Sequence, residues 1–249
     1  MSILTRFHVD LRVLLARDGE VVSVSKNLLV KNYQPDKLQM IRRDLIPSGV
    51  YEFPVLAAMY SVPRHKFMPR EVREHAYADH PLPAWEGQTI SQPYIVGLTT
   101  QFARVRRGVK VLDIGTGTGY QAAILGAMGA EVYSIEINEV LARTAKERLS
   151  RLHYDVEVRL GDGYLGWPEE APFGAIVVAA ASPKIPDSLI QQLVVGGRLV
   201  IPIGLPDAAQ NLVVVERTPS GVEILVAESV RFVPMIGEAQ KAVATTYLQ

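Results

Sequence analysis

The fold is decided by one stretch of sequence, Val111-Leu112-Asp113-Ile114-Gly115-Thr116-Gly117-Thr118-Gly119-Tyr120. Its first part belongs to an apolar run that predicts a buried strand over Lys110–Ile114, and a helical pattern begins at Tyr120 and continues through residue 128. Three glycines at alternate positions lie between the two. Because side chains there would block a close approach, the arrangement predicts a turn whose backbone contacts a ligand.

The residues around the turn narrow the class of ligand. A dinucleotide-binding turn needs a small residue at position 120, where this chain has Tyr120, and a phosphate-binding P-loop needs a Gly-Lys-Ser/Thr ending, which is missing. With no pyrophosphate to hold, the loop suits the amino-acid end of S-adenosylmethionine. The alternative is that the glycines only make a tight turn.

Acidic residues end the next two predicted strands. Glu136 follows Asp113 by about 20 residues, where a carboxylate accepts hydrogen bonds from a ribose diol. Its alternative role is that of a negative charge favoured at a helix N-terminus. Asp162, between Gly161 and Gly163, is positioned to accept a hydrogen bond from an adenine amine, although taken alone it would be an ordinary turn residue.

Strands and helices alternate from about Pro93 onward. Helices are predicted over 93–105, 120–128, 139–152 and 186–193, and strands over Lys110–Ile114, 131–135, Val156–Leu160, 175–178 and 198–203. Two further strands, 212–217 and 222–233, predict an antiparallel edge. The fold class is therefore α/β: a doubly wound, mostly parallel seven-stranded sheet of Rossmann-like type, with ligands at the carboxyl ends of the strands.

The residues before the sheet divide into two parts. Residues 1–34 form an N-terminal extension, predicted as a β-hairpin about Asp18-Gly19. Residues 35–249 are predicted to form the main domain, in which residues 35–92 are a substrate-side segment with helices over 35–45 and 53–60. Residues 63–93 contain five prolines and little periodicity, which predicts mostly loop, and long loops in compact domains are usually functional.

Composition excludes several classes of function. The 249 residues are 48% hydrophobic and carry 26 basic and 26 acidic side chains, so no overall field attracts nucleic acid or an acidic membrane. There are no cysteines, which excludes disulfides and thiolate nucleophiles. No apolar run approaches the roughly 20 residues of a membrane helix, and the N-terminus lacks the pattern of a signal peptide. We expect a cytoplasmic protein.

Several motifs outside the glycine turn resemble the protein-L-isoaspartate O-methyltransferase family, within the class I S-adenosylmethionine-dependent methyltransferases. They are Val-Pro-Arg-His-Lys-Phe-Met-Pro (62–69), Ala-Tyr-Ala-Asp (76–79), Gly-Gln-Thr-Ile-Ser-Gln-Pro-Tyr (87–94), Gly-Asp-Gly-Tyr (161–164), Gly-Trp-Pro (166–168) and Gly-Gly-Arg-Leu-Val-Ile-Pro (196–202). The Thr-Ile-Ser-Gln-Pro-Tyr block is the most specific. The resemblance covers roughly residues 35 to 215.

This resemblance implies methyl transfer from S-adenosylmethionine to the free carboxylate of isoaspartyl residues in damaged proteins, which initiates their repair. It implies no metal, and its partners are isoaspartyl peptides and proteins, with no nucleic acid and no membrane. The implied cofactor-binding residues are Asp113, Gly115, Thr116, Gly117, Glu136, Asp162 and Gly163. Ser91 is the implied catalytic residue, and Ile90, Ser91 and Ala179 are the implied substrate-binding residues.

The chemistry agrees with this residue set. A carboxyl group with a pKa of about 3.5 is already ionised at neutral pH, so its methylation needs no general base. Ser91 is expected to donate a hydrogen bond to that carboxylate, and its alternative role is to cap the helix that begins near Pro93. Backbone N–H groups near Ile90 and after Val178 are expected to complete the site. Asp113 is expected to hydrogen-bond the glycine loop.

The chain also departs from the family pattern at two places. Gly174 replaces the Asp that usually follows the phenylalanine of the fourth strand, and little effect on chemistry is expected there. Ala84-Trp85-Glu86 replaces the usual Ile-Gly-containing sequence, and Trp85 is expected to influence which peptides are accepted. Two other hypotheses stay open: a class I methyltransferase acting on nucleic acid or a small molecule, and an inactive cofactor-binding homologue.

Overall fold

The computed structural model describes residues 32–205 and 208–241 of the chain. The hairpin expected near the N-terminus falls within residues 1–31, outside the described residues. The division of the chain at residue 34 therefore stays a prediction.

Within the described residues, nine strands are numbered in chain order. They are β1 (Leu82–Pro83), β2 (Thr89–Ile90), β3 (Lys110–Ile114), β4 (Glu131–Glu136), β5 (Val156–Leu160), β6 (Phe173–Val178), β7 (Leu193–Ile203), β8 (Gln210–Thr218) and β9 (Gly221–Val230). The last seven form one sheet in the order β5-β4-β3-β6-β7-β8-β9. Strands β3 to β7 pair in parallel, and β8 and β9 add an antiparallel edge. This confirms the predicted fold class.

The helices of the described residues are short. They are α1 (Gln34–Gln39), which continues as a π-helix over Met40–Leu45, then α2 (Phe53–Ser61), α3 (Pro93–Phe102), α4 (Tyr120–Ala127), α5 (Glu139–Arg151) and α6 (Asp187–Gln191). In the part of the chain that the structure covers, no helix is long and apolar enough to cross a membrane.

Side-chain alternation along the central strands builds a core on each face of the sheet. On β6, Ala175 and Val177 pack into one core, with residues of α2 to α5. Ile176 and Val178 pack into the other, with Leu189 of α6. Strands buried on both faces read as continuous apolar runs, which is why the parallel strands were visible in the sequence.

Several element boundaries differ from those predicted. Strand β7 begins at Leu193 rather than at residue 198, and it includes Gly196 although that residue has a φ of 81°. Helix α3 ends at Phe102 rather than at residue 105, since Arg104 has a φ of 50°.

The packing around Gly174 explains why this position has no side chain. A Cβ there would lie 2.4 Å from Cγ1 of Val109, so no larger residue fits unless Val109 is displaced.

The proline-rich segment is more ordered than the predicted loop. It contains two 3₁₀ helices, Arg64–Phe67 and Arg70–His75, followed by the hairpin of β1 and β2. Glu86 and Gly87 form its turn with φ of 55° and 67°. Positive φ at both central positions is the geometry of a tight hairpin turn, and this hairpin brings Ser91 to the carboxyl edge of the sheet.

Candidate active site

The glycine loop between β3 and α4 lies at the carboxyl edge of the sheet. Gly115, Gly117 and Gly119 all have positive φ, at 89°, 51° and 85°, which favours glycine at each position. The N–H groups of Gly115 and Thr116 donate to the Ile135 carbonyl at 2.9 and 3.2 Å. The loop is thereby fixed to the end of β4 with its backbone open toward a cavity of about 760 Å³.

Asp113 lies beneath this loop and is completely buried. Its Oδ2 atom accepts a hydrogen bond from the Ser134 hydroxyl at 2.7 Å, and the Ser134 and Thr116 hydroxyl oxygens lie 2.6 Å apart. Burial raises the pKa of the Asp113 carboxyl to about 7; the Ser134 hydrogen bond opposes the rise and the nearby Glu136 charge adds to it. The structure therefore links Asp113 to the glycine loop through two hydroxyl groups.

The second oxygen of Asp113, Oδ1, is buried and has no hydrogen-bond partner among the described residues. Asp113 also lines the cavity. A buried carboxylate oxygen without a partner is costly unless a ligand or an ordered water satisfies it. This oxygen fits a cationic or hydrogen-bond-donating ligand in the cavity.

Glu136, the last residue of β4, also contacts the glycine loop. Its Oε2 accepts a hydrogen bond from the Gly117 N–H at 2.8 Å, and its Oε1 accepts one from the Asn138 N–H at 3.0 Å. Each carboxylate oxygen keeps a further lone pair, and Glu136 lines the cavity. Asn138 is the N-cap residue of α5 and accepts from the Leu141 N–H, so the bond from the Asn138 N–H also places the Glu136 carboxylate at the N-terminus of that helix, where a negative charge is favoured.

Asp162 and Gly163 follow β5 and have different environments. Gly163 lines the cavity, and a Cβ at this position would lie 2.2 Å from Cγ2 of Ile114. The Asp162 carboxylate accepts from the N–H of Tyr164 at 2.9 Å and from that of Glu238 at 2.7 Å. Asp162 thus holds the C-terminal segment beside the cavity, through a contact that the local sequence did not indicate.

Tyr120, which argued against a dinucleotide turn, is buried behind the loop. Its ring packs edge-on against Phe67, with centroids 5.6 Å apart, and the Arg64 guanidinium lies 4.9 Å from its centre. A large side chain at this position therefore ties the glycine loop to the substrate-side segment.

Ser91 lies at the exit of the β1–β2 hairpin and lines the same cavity. Its hydroxyl makes no hydrogen bond within the ranges that the structure describes. It does not cap α3, whose N-cap residue is Gln92. The Asp79 carboxylate takes that place: Oδ1 accepts from the Tyr94 N–H and Oδ2 from the Gln92 side chain, both at 2.8 Å.

The backbone N–H groups after Val178 that were expected to complete the site are only partly available. Ala179 donates its N–H to the Ile114 carbonyl, and Ala181 donates its N–H to the Val233 carbonyl, both at 2.8 Å. The N–H of Ala180 makes no backbone hydrogen bond with any residue the structure describes. Ile90 is buried and lines the cavity beside Ser91.

A further wall of the cavity is formed by residues that were not predicted from the sequence as site residues. Residues 228–236, from the end of β9 onward, line the cavity and include Glu228, which accepts a hydrogen bond from the Tyr94 hydroxyl at 3.1 Å. His65 and Trp167 both pack against other aromatic side chains. His65 stacks on Tyr33 with centroids 4.0 Å apart, and Trp167 is buried against Tyr133.

The doubly wound sheet, the glycine loop and the acidic residues at the strand ends define a Rossmann-like methyltransferase. Residues 37–240 match the family described as protein-L-isoaspartate(D-aspartate) O-methyltransferase (PCMT). This chain belongs to that family, which confirms the predicted family and enzyme class.

Individual proteins give the same result. A protein-L-isoaspartate O-methyltransferase from Gloeobacter violaceus is 52% identical over 200 residues, which are 80% of this chain and 98% of that protein. A solved protein-L-isoaspartate O-methyltransferase structure superimposes with a TM-score of 0.76 at 25% identity, covering 87% of this chain and 70% of the other. A Plasmodium falciparum PCMT structure, in complex with S-adenosyl-L-homocysteine, gives a TM-score of 0.70 at 25% identity and covers 83% of this chain and 99% of that one.

Proposed function

We propose that this protein transfers a methyl group from S-adenosylmethionine to the free carboxylate of isoaspartyl residues in damaged proteins. The observation that carries the proposal is the Ser91 hydroxyl. It lies at the cavity without a partner among the described residues, because Asp79 takes over the capping of the helix that follows.

The cofactor side of the proposal rests on the groups around the glycine loop. The loop presents backbone without side chains at Gly115 and Gly117, and both Asp113 Oδ1 and the remaining Glu136 lone pairs can accept hydrogen bonds. We propose that Asp113, Gly115, Thr116 and Gly117 hold the amino-acid end, that Glu136 accepts from the ribose hydroxyls, and that Asp162 and Gly163 border the adenine. A cationic methyl donor suits two carboxylates at the loop.

The reaction requires alignment of the substrate carboxylate with the methyl donor, and it requires no proton transfer. When bound, S-adenosylmethionine supplies a methyl group on a cationic sulfur, so that an O–CH₃ bond forms as the S–CH₃ bond breaks and the opposite charges cancel. The attacking carboxylate is ionised at neutral pH, so no residue of the chain has to remove a proton. Ser91 donates a hydrogen bond to one carboxylate oxygen and leaves the other free to attack.

The part of the cavity proposed to hold the substrate has few hydrogen-bond donors and small side chains. Ile90, Ala179 and Ala180 line the same cavity as Ser91, and the Ala180 N–H, which makes no backbone hydrogen bond with a described residue, can donate to the substrate. Small side chains leave room for a polypeptide whose own side chains vary. Apolar walls also exclude water from the carboxylate, which makes it a better nucleophile.

We further propose that the protein acts in the cytoplasm on protein substrates, without a metal and without nucleic acid or a membrane as partner. Its equal numbers of acidic and basic residues and its lack of cysteine favour this setting. Methylation of nucleic acid or of a small molecule is the alternative that the experiment must exclude.

The test offers labelled S-adenosylmethionine with an isoaspartyl peptide, with the same peptide containing ordinary aspartate, and with tRNA. Base-labile label on the isoaspartyl peptide alone supports the proposal, because a methyl ester hydrolyses in base. Label on tRNA, equal label on both peptides, or cofactor binding without any transfer would overturn it.

A further inference from the structure

Trp85 lies at the tip of the hairpin that carries Ser91. The turn is closed by hydrogen bonds from the Gln88 N–H to the Trp85 carbonyl at 3.0 Å and from the Ala84 N–H to the Gln88 carbonyl at 2.8 Å. The indole is half-buried, and the backbone of Trp85 belongs to this hydrogen-bonded turn, six residues before Ser91.

The indole packs on Arg148, a residue of α5. The Arg148 guanidinium carbon lies 4.1 Å from the centre of a Trp85 ring. From the same guanidinium, Nη1 donates a hydrogen bond to the Thr118 carbonyl at 2.8 Å. Thr118 is the glycine-loop residue between Gly117 and Gly119, and it lines the cavity. One side chain therefore contacts both the cofactor loop and the substrate hairpin.

Because Arg148 is charged and buried, its contacts with Thr118 and Trp85 are needed to stabilise the guanidinium. Arg148 is buried, and no carboxylate of the described residues lies within ion-pair distance of its guanidinium. Burial lowers its pKa to about 10, with smaller contributions in the same direction from Arg151 and Arg73, so the group stays cationic at neutral pH. The Thr118 carbonyl and the face of the indole supply the negative potential that a buried guanidinium needs.

We propose that Arg148 and Trp85 are positioning residues that couple the cofactor loop to the Ser91 hairpin, so that cofactor and isoaspartyl peptide each raise the affinity for the other. Cofactor bound against the loop holds the Thr118 carbonyl, and through it the Arg148 guanidinium, in the position where the guanidinium packs on the Trp85 indole of the hairpin. By thermodynamic linkage, a peptide that orders the hairpin strengthens cofactor binding by the same factor. This coupling rests on the proposed function, since it takes the peptide side to be isoaspartyl.

The test measures the affinity for S-adenosylhomocysteine by calorimetry, with and without a saturating isoaspartyl peptide. For the unmodified protein we expect the peptide to increase that affinity about tenfold, within the usual range of allosteric coupling. Trp85→Ala and Arg148→Met should reduce the factor to less than about twofold, and Trp85→Phe should retain most of it because an aromatic face remains. Arg143→Met removes an exposed arginine from the same helix and should leave it unchanged.

Kinetics and melting separate coupling from general damage. Trp85→Ala should raise KM for both substrates about tenfold with kcat within about threefold, and its thermal unfolding should stay cooperative. Full coupling in Trp85→Ala or in Arg148→Met would overturn the inference, as would an equal loss in Arg143→Met.

A further readout distinguishes this inference from the proposed function. The chain has two tryptophans, Trp85 and Trp167, so Trp167→Phe leaves Trp85 as the reporter of fluorescence. S-adenosylhomocysteine should shift that emission, and the added Arg148→Met change should abolish the shift. If the protein does not methylate isoaspartyl peptides but the shift is present, the proposed function fails and the link between loop and hairpin stands. No shift in the Trp167→Phe protein would contradict the link itself.

Discussion

Asp79 caps a helix from a distant part of the chain: its Oδ1 atom accepts a hydrogen bond from the backbone N–H of Tyr94 at 2.8 Å. Its Oδ2 atom accepts a second one from the Gln92 side chain at the same distance. The residue between the hairpin and these two anchors is Ser91. One carboxylate thus sets where the hydroxyl lies and also leaves that hydroxyl free for a ligand.

Replacing Asp79 by Ala should therefore impair the substrate side of the site. Loss of a helix cap costs about 0.5–2 kcal/mol of stability. We expect kcat/KM for the isoaspartyl peptide to fall about tenfold, which corresponds to about 1.4 kcal/mol. Steady-state kinetics measure the effect on the peptide substrate, and calorimetry with S-adenosylhomocysteine measures the effect on cofactor binding. Asp155→Ala, at an exposed position, serves as the control, and an equal loss of cofactor affinity in Asp79→Ala would contradict a substrate-side role.

Glu136→Gln should weaken cofactor binding. An amide in place of the carboxylate presents an NH₂ group to one of the two backbone N–H donors, Gly117 or Asn138, and it removes the negative charge. We expect the Kd for S-adenosylhomocysteine to rise at least about tenfold, a loss of about 1.4 kcal/mol, with kcat nearly unchanged at saturating cofactor. Glu139→Gln, in the first turn of α5, is the matched control, and an equal effect there would refute the assignment.

Stability should depend on pH through Asp113. Its pKa is about 7 in the folded protein against an ordinary value of 3.8, so the folded state keeps a proton that the unfolded state releases. This contribution is fully present below about pH 4, and it is lost as the pH rises toward 7, at up to about 1.4 kcal/mol per pH unit. Urea unfolding of the protein and of Asp113→Asn at a series of pH values measures it. A slope that persists in Asp113→Asn would show that another group is responsible.

Gly163→Ala should destabilise the cofactor site by overpacking. The added Cβ would lie 2.2 Å from Cγ2 of Ile114, and forced overpacking in a core costs about 1–3 kcal/mol. Adding Ile114→Ala, which removes that methyl group, should restore part of the cofactor affinity lost in Gly163→Ala. Gly126→Ala is the control: its Cβ has room, with a nearest contact of 4.0 Å, and the change should be neutral or stabilising. No rescue by Ile114→Ala would mean that the cause lies elsewhere.

Features carried by continuous sequence were predictable. Asp113, Glu136 and Asp162 lie at or just beyond the carboxyl ends of three successive strands, and parallel pairing of β3, β4 and β5 brings those ends to one edge of the sheet. The central strands are buried on both faces, so their apolar runs had few other interpretations. The same logic located the glycine loop and the cavity beside it.

Features that depend on distant contacts were not predictable. Nothing near Asp79 in the sequence indicates Tyr94 as its partner, and nothing near Trp85 indicates Arg148. Strands of two residues, such as β1 and β2, are too short to show a period, so the hairpin read as loop. Prediction of free N–H groups after β6 also failed in part, because the bonds from Ala179 and Ala181 are made to other elements.

In the proposed mechanism Ser91 binds the substrate and the glycine loop binds the cofactor, and Ser91→Ala tests that division most directly. The measurement pairs the single-turnover rate on an isoaspartyl peptide with the Kd for S-adenosylhomocysteine in the same variant. We predict a rate lower by about 10- to 100-fold, the loss of a hydrogen bond worth about 1.4–2.7 kcal/mol in the transition state, with a Kd within about twofold of the unmodified protein. An unchanged rate, or a loss of cofactor affinity as large as the loss of rate, would contradict the account.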